Sequence, residues 1–363
     1  MILDTQVDDI SQKVMANERI SVDEIRHLSK LSLPELGFLS DARRRFKKSE
    51  QYDGRGNEIV TYIIDRNINY TNICNVYCKF CNFYRTKKDA DSYVLTHEEI
   101  DRKIQETIDL GGTQILMQGG HHPDLTLDWY LDLLHHIKAK FPQINIHAFS
   151  PPEFNHFAEV FNMSLQEVLR RFVEAGLGSI PGGGGEILVD SVRQRIAPLK
   201  CDSSHWLEVM EIAHGMGLRS SATMMFGHVE TLDDRFEHLR KLRDLQDKTG
   251  GFTAFICWTF QRSKDTVLQA ERVGSHEYLK MQALSRIFLD NFDNIQSSWV
   301  TQGPQIGQIA LKYGANDFGS IMIEENVVSS AGTHFRLTSQ QMRELISDMG
   351  YEPRQRDNWY KLL

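Results

Sequence analysis

Three of the chain's five cysteines, Cys74, Cys78 and Cys81, fall within eight residues at a C-x3-C-x2-C spacing. Thiolate is the soft ligand that iron–sulfur clusters require, and so tight a spacing lets one loop hold three corners of a cube. Three ligands for four irons leave one iron open to a small chelating molecule. A closed zinc site is the alternative. Structural zinc wants four ligands, and the remaining Cys201 and Cys257 lie far along the chain without paired spacing. A histidine can complete such a site, so zinc stays open on spacing alone. A redox dithiol of Cys78 and Cys81 leaves Cys74 unexplained, and Cys201 and Cys257 read as buried, inert thiols.

The cysteine loop directly follows a short β-branched run, Ile59–Asp65, the first of eight strand candidates. The others are Gln114–Gln118, Asn145–Phe149, Leu177–Ile180, Ser221–Phe226, Phe252–Trp258, Ile295–Val300 and Phe318–Ile323. Amphipathic helical stretches lie between them. Ile100, Ile104 and Ile108 recur every four residues from a Thr96/Glu99 start to Gly111-Gly112. Further helices start at Ser164 with Glu167, at Thr231, near Pro304 and at Thr338 with Gln341, and another carries Trp206, Val209, Met210 and Ala213 on one side. Strands alternating with helices predict an α/β fold, a (β/α)8 TIM-type barrel over residues 56–363, with residues 1–55 as an N-terminal helical extension. The aromatic stretch Phe252, Phe255, Trp258 and Phe260 reads mostly as barrel core, with Trp258 free to wall a cavity.

In such a barrel, chemistry sits where strands end and loops begin. Those points here carry Gln118 to His122, Ser150 and Glu153, Gly182 to Glu186, His228 and Glu230, Thr259 and Gln261, Thr301 and Gln302, and Glu324 to Asn326.

Composition excludes several classes of function. The chain has 363 residues, 41% apolar and 25% charged, with a formal net charge of −8. That balance argues against gripping nucleic acid or an anionic membrane, and the basic run Arg43, Arg44, Arg45, Lys47 and Lys48 reads as a solvated helix face. No segment has the length of a membrane span, and the acidic start lacks the layout of a signal peptide. Cytoplasm is the expected compartment, and a tight cysteine cluster in a reducing compartment points to metal or redox work.

The cysteine spacing, with Phe80 before the last cysteine, resembles the signature of radical S-adenosylmethionine (SAM) enzymes. The resemblance extends from about Asn57 to Tyr360. Gly111–Asp124, Ser150–Glu153, Pro181–Leu188 and Thr223–Thr231 are similar to the subgroup that makes deazaflavin and futalosine-derived compounds. Within it, Gly250–Gln261, Ser298–Pro304 and Gly314–Val328 most resemble the cyclic dehypoxanthinylfutalosine synthases of menaquinone biosynthesis. One departure is Gly185, where the family pattern has Ala.

The resemblance implies a [4Fe–4S] cluster on Cys74, Cys78 and Cys81, bound SAM, and an electron donor such as flavodoxin or ferredoxin. It implies dehypoxanthinylfutalosine as substrate: a 5′-deoxyadenosyl radical takes hydrogen from the sugar C4′, the sugar radical closes on the benzoate ring, and one electron and one proton leave. Aminofutalosine synthase and the tyrosine-using deazaflavin synthase are enzyme alternatives; a zinc-stabilised binding module is an alternative of another class. Gln118, Gly119 and Gly120 resemble the place where family members hold the methionyl group, though a tight βα turn needs the same glycines. Gly183 and its neighbours, with Glu186, are placed to hold the adenosyl ribose, and Ser150 and Glu153 are candidate cofactor contacts by position. His228 or Glu230 is the candidate general base. Asp317, Glu324 and Glu325 are candidates for sugar hydroxyls, and Arg193 and Arg195 for the benzoate.

Overall fold

Ten short parallel strands, separated by capped helices, form one curled sheet in the computed structural model, which describes residues 5–332 and 335–363. They are β1 (Ile59–Ile63), β2 (Asp65–Ile68), β3 (Gln114–Met117), β4 (Asn145–Ala148), β5 (Ser179–Ile180), β6 (Arg219–Phe226), β7 (Phe252–Thr259), β8 (Ile295–Gln296), β9 (Asp317–Ser320) and β10 (Glu352–Gln355). Their order is β10-β1-β9-β8-β7-β6-β5-β4-β3-β2. The two flanks of this series meet in one extended run. Residues 59–63 pair with β9 and β10, while residues 65–68 pair with β3. The fold is the expected (β/α)8-type barrel, with β10 added outside β1.

The eighth expected strand ends three residues early, at Ser320, and the fourth is only Ser179–Ile180; three other departures have a structural cause. The first strand runs on to Ile68 and splits at Ile64, because its halves have different neighbours. The seventh stops at Gln296: Ser298 leads into the helix Trp299–Gln302, and the Trp299 indole donates to Ser320 O at 3.0 Å. No apolar pattern announced β10, whose Pro353 has no N–H to donate and sits on the outermost strand, where that loss costs nothing.

The helices begin where the caps predict. Capping boxes form at Ser21/Glu24, Thr96/Glu99 and Thr338/Gln341, and Ser164 caps the helix Leu165–Ala175. Trp206, Val209, Met210 and Ala213 are all buried on the helix Ser203–Gly215. The basic run is a correction. On the helix Leu33–Lys48, Arg43, Arg44 and Lys48 are buried and only Arg45 is exposed. They are tolerated because each is bonded: Arg43 donates to Asn17 Oδ1 (2.7 Å) and Glu18 O (2.6 Å), Arg44 pairs with Asp41 (2.9 Å), and Lys48 donates to Asn294 Oδ1 (2.9 Å). Burial pushes the Lys48 pKa down to about 7. This helix packs on Ser275–Phe288, tying the N-terminal helices to the barrel. Among the described residues no helix is long and apolar enough to cross a membrane.

Candidate active site

The cysteine loop leaves β2 and is fixed by its main chain. Cys74 N donates to Arg85 O at 3.0 Å, Asn75 N to His121 O at 3.2 Å, Lys79 N to Ile196 O at 2.9 Å and Cys81 N to Cys78 O at 3.1 Å. All five cysteines are free; Cys78 is buried, and Cys74 and Cys81 are half-buried. Burial pushes the Cys78 thiol up to about 12, with the Lys200 charge opposing it. Burial likewise raises Cys81, against which the N–H groups of Phe83 and Tyr84 donate to its sulfur. Such N–H donors to sulfur are among the groups that tune iron–sulfur centres. Three soft donors on one loop suit a polynuclear cluster. Gly120 cradles that loop: a Cβ there would lie 2.2 Å from Ile73 O and 2.9 Å from Cys74 Cβ.

Beside the loop opens a 380 Å³ cavity inside the barrel. Phe80, Cys81, Gln118, Gly183, Glu186 and Trp258 line it at the C-terminal ends of the strands. The Lys200 ammonium lies 5.1 Å from the Phe80 ring centre. At Gly183 a Cβ would lie 2.2 Å from Gln118 Nε2, so the Gln118 amide packs against this bare backbone. The glycine run is held by its carbonyls: Trp206 Nε1 donates to Gly183 O (3.1 Å), and Arg193 to Gly184 O and Gly185 O (3.1 Å each). Glu186, in left-handed backbone at φ +29°, accepts from Lys200 at 3.0 Å and lies 3.7 Å from Arg193. Strain of this kind persists only where surroundings over-determine it, and it gathers at functional sites.

Other expected residues stand behind the wall. Ser150 caps the helix Pro151–Val160, and the buried Glu153 accepts from Ser150 N (2.7 Å), Ser150 Oγ (2.7 Å), Tyr70 Oη (2.8 Å) and Gly119 N (3.1 Å). His228 and Glu230 are not brought to the cavity, whose wall on that strand is Ser221, Thr223 and Met225. Glu230 accepts from Gly227 N (2.6 Å), His228 N (2.9 Å) and Arg235 Nε (2.8 Å), and both His228 ring nitrogens are engaged, with Met225 O, Val229 N and Glu230. Arg195 donates to Val229 O, outside the cavity wall. Glu324 is tied to Arg66 and Lys103, while Glu325 lines the cavity and accepts three N–H groups of residues 327–329.

The deeper wall holds residues that loop-centred reasoning passed over: Asp65, Gln114, His147 and Arg356. Arg356 is buried and bound by both carboxylate oxygens of Asp317 (2.6 and 3.0 Å). A signal was available. Strands of a parallel barrel are buried on both faces and read as continuous apolar runs, whereas Asp65/Asn67 and Ser221/Thr223 place polar groups at alternate positions, and Gln114 and Gln118 stand four apart on the same face.

Comparison with known proteins agrees with this geometry. Residues 68–242 match the family model of the radical SAM superfamily, and residues 249–363 that of the CofH/MqnC C-terminal region. The chain is 50% identical to the cyclic dehypoxanthine futalosine synthase of Halalkalibacterium halodurans over 84% of its length and 82% of the relative's. It is 45% identical to the Streptomyces coelicolor enzyme of the same name, over 98% and 88% of the two chains. A 5-amino-6-(D-ribitylamino)uracil–L-tyrosine 4-hydroxyphenyl transferase of Archaeoglobus fulgidus is 42% identical over 84% of this chain and 89% of its own. Among solved structures, the FeFe-hydrogenase maturase HydG of Carboxydothermus hydrogenoformans superposes with a TM-score of 0.74 at 18% identity, covering 98% of this chain and 81% of that one, a likeness of fold.

Proposed function

Because this chain belongs to the radical SAM superfamily, and carries the CofH/MqnC C-terminal region within it, we propose that it converts dehypoxanthinylfutalosine to its cyclic spiro product in the futalosine route to menaquinone. The observation that carries this reading is the 45% identity that runs over 98% of the chain with a synthase of that name. The chain is an enzyme whose cofactors are a [4Fe–4S] cluster and SAM. When bound, they supply a 5′-deoxyadenosyl radical that abstracts hydrogen from the substrate.

The chain's own residues hold, orient and exclude. Cys74, Cys78 and Cys81 are the cluster's ligands in this reading. Gln118, Gly119, Gly120 and the run Gly182–Glu186 form the SAM cradle, with Arg193 and Trp206 fixing its carbonyls. Glu153 holds Gly119 N from behind. The barrel cavity holds the reacting carbon away from competing hydrogen donors, which is the protein's main service when a cofactor carries the hard step. His228 and Glu230, engaged with one another and with Arg235, serve the fold of this loop rather than proton transfer. The reading includes a flavodoxin- or ferredoxin-type donor and a cytoplasmic setting, where thiols stay reduced.

Anaerobic incubation of reconstituted protein with SAM, a reductant and dehypoxanthinylfutalosine tests the proposal. Mass spectrometry is expected to find 5′-deoxyadenosine and a product two hydrogens lighter than the substrate. In parallel incubations, adenosine joined covalently to an added enol-ether substrate indicates the aminofutalosine reaction instead, and coupling of a fragment of added tyrosine to an added pyrimidine indicates the transferase.

A further inference from the structure

Inside the barrel a chain of hydrogen bonds runs from strand to strand along β2 to β5 and ends on a histidine ring facing the cavity. Asp65 accepts from Ser320 Oγ and, at 3.0 Å, from Gln114 Nε2. Asn145 Nδ2 donates to Gln114 Oε1 (3.0 Å) and to Ser179 Oγ (3.0 Å). Ser179 Oγ lies 2.7 Å from His147 Nδ1. Asp65, Gln114, Ser179 and His147 are all buried, and Asp65, Gln114 and His147 also line the cavity.

The direction of every bond in this chain follows from its first member. Burial pushes the Asp65 pKa up, while the Ser320 and Gln114 donors and the Arg356 charge favour its ionised form; as a carboxylate it only accepts, so the Gln114 amide turns its NH2 to Asp65. Its oxygen then faces Asn145, which must present its own NH2 to both Gln114 and Ser179. With an N–H directed at its oxygen, Ser179 has one hydrogen left to give, and His147 Nδ1 is the acceptor within reach. A ring that accepts at Nδ1 and is neutral carries its proton on Nε2. Among the described residues Nε2 has no hydrogen-bond partner. The opposite tautomer would strand the Ser179 hydroxyl hydrogen in a buried place, a costly arrangement. Burial, assisted by the Arg356 charge, pushes the His147 pKa down to about 3, which keeps the ring neutral at working pH.

We infer that His147 is a substrate-binding residue whose Nε2–H donates to an acceptor oxygen of the substrate, its tautomer fixed by the relay Asp65–Gln114–Asn145–Ser179. The inference rests on the proposed function for the identity of that substrate, but the tautomer does not depend on it. The oxygen belongs either to the benzoate carboxylate or to the rest of the molecule.

The test is long-range 1H–15N correlation on cluster-loaded enzyme labelled with 15N-histidine, assigned with H147F. The expected spectrum has a protonated Nε2 and a bare Nδ1 for His147, unchanged from pH 6 to pH 8 by the depression just described. Titration with dehypoxanthinylfutalosine should shift the Nε2 signal. If benzoate alone also shifts it, the carboxylate is the partner; if only the whole molecule does, another oxygen is. S179A should bring in the Nδ1–H tautomer, and both S179A and H147F should raise the dissociation constant for substrate about tenfold, the scale of one lost hydrogen bond, while leaving that for SAM unchanged. A protonated Nδ1 in the unaltered enzyme, or substrate bound as tightly by H147F as by the parent, overturns the assignment. Unaltered enzyme that binds no dehypoxanthinylfutalosine overturns the functional reading and this subsite's occupant together, and leaves the tautomer result to be judged by itself.

Discussion

The Gly119 amide donates to the Glu153 carboxylate at 3.1 Å across 34 residues of chain. A buried helix cap thereby holds the end of β3, where the cavity wall begins. The same carboxylate takes the Ser150 amide and hydroxyl and the Tyr70 hydroxyl. Its four partners are all donors, so the site suits the ionised form even though burial pushes the pKa up.

E153Q should therefore do harm out of proportion to its size. An NH2 in place of one oxygen must face donors, leaving at least one of them unpaired in a buried place, at about 1–3 kcal/mol. The expected outcome is a lowered unfolding midpoint in denaturant together with weaker SAM binding. Stability equal to the parent's would mean that Gly119 is held by something else.

G120A should disrupt the cysteine loop. The added methyl would lie 2.2 Å from Ile73 O and 2.7 Å from Ile73 C, main-chain atoms that cannot swing aside. Iron content after anaerobic reconstitution should fall well below that of the parent. G215A is the control, because a Cβ at Gly215, the last residue of its helix, meets nothing within 4 Å. That variant should load iron normally and gain a few tenths of a kcal/mol, up to about 1, from the better helix former.

Cysteine variants separate ligands from bystanders. C78A should lose the cluster and all turnover. Cys257 is fully buried on β7, where its thiol donates to Gln282 Oε1 at 3.4 Å. C257A should keep its iron and its 5′-deoxyadenosine formation, and show only the cost of a small cavity, about 1 kcal/mol. An iron-replete C78A would undo the ligand assignment.

How much of this was legible in the sequence follows from where each signal resides. Cys74, Cys78 and Cys81 sit on one loop, so their spacing is a purely local signal. Helix starts were equally local, since Thr96 and Glu99 need only each other. The glycine run and Gln118 sit at strand ends, which periodicity locates, and they do line the cavity. His147 was hidden because a strand residue's role depends on which face is turned inward, and one residue of register decides that. His228 shows the converse: it sits in a loop of the right kind, but its neighbour Glu230 and the distant Arg235 hold it outside the cavity wall. The buried cations of the first long helix failed similarly: Arg43 finds its side-chain acceptor in Asn17, and Lys48 adds Asn294, from distant chain, to the nearby Gln51.

Glu230 offers a reading of pH dependence. Burial opposes its charge, but His228, Arg235 and the Gly227 amide outweigh burial and hold its pKa at about 2, below the ordinary 4.5. A carboxyl whose pKa is depressed by folding adds stability that is complete above the unfolded value and fades as pH falls toward the folded one. The window here is therefore pH 4.5 down to about 2. A depression of this size corresponds to about 3 kcal/mol. E230Q should be less stable than the parent by up to that amount at pH 7, with the gap closing below pH 4. Urea titrations at pH 7, 5, 4 and 3 would check it, the first two above the window and the last two inside it. Because neither Glu230 nor His228 reaches the cavity, E230Q that is folded at 20 °C should still cyclise substrate at a rate within a few-fold of the parent's. A variant that keeps its stability but loses cyclisation while still releasing 5′-deoxyadenosine would return Glu230 to the chemistry as the group that takes the ring proton.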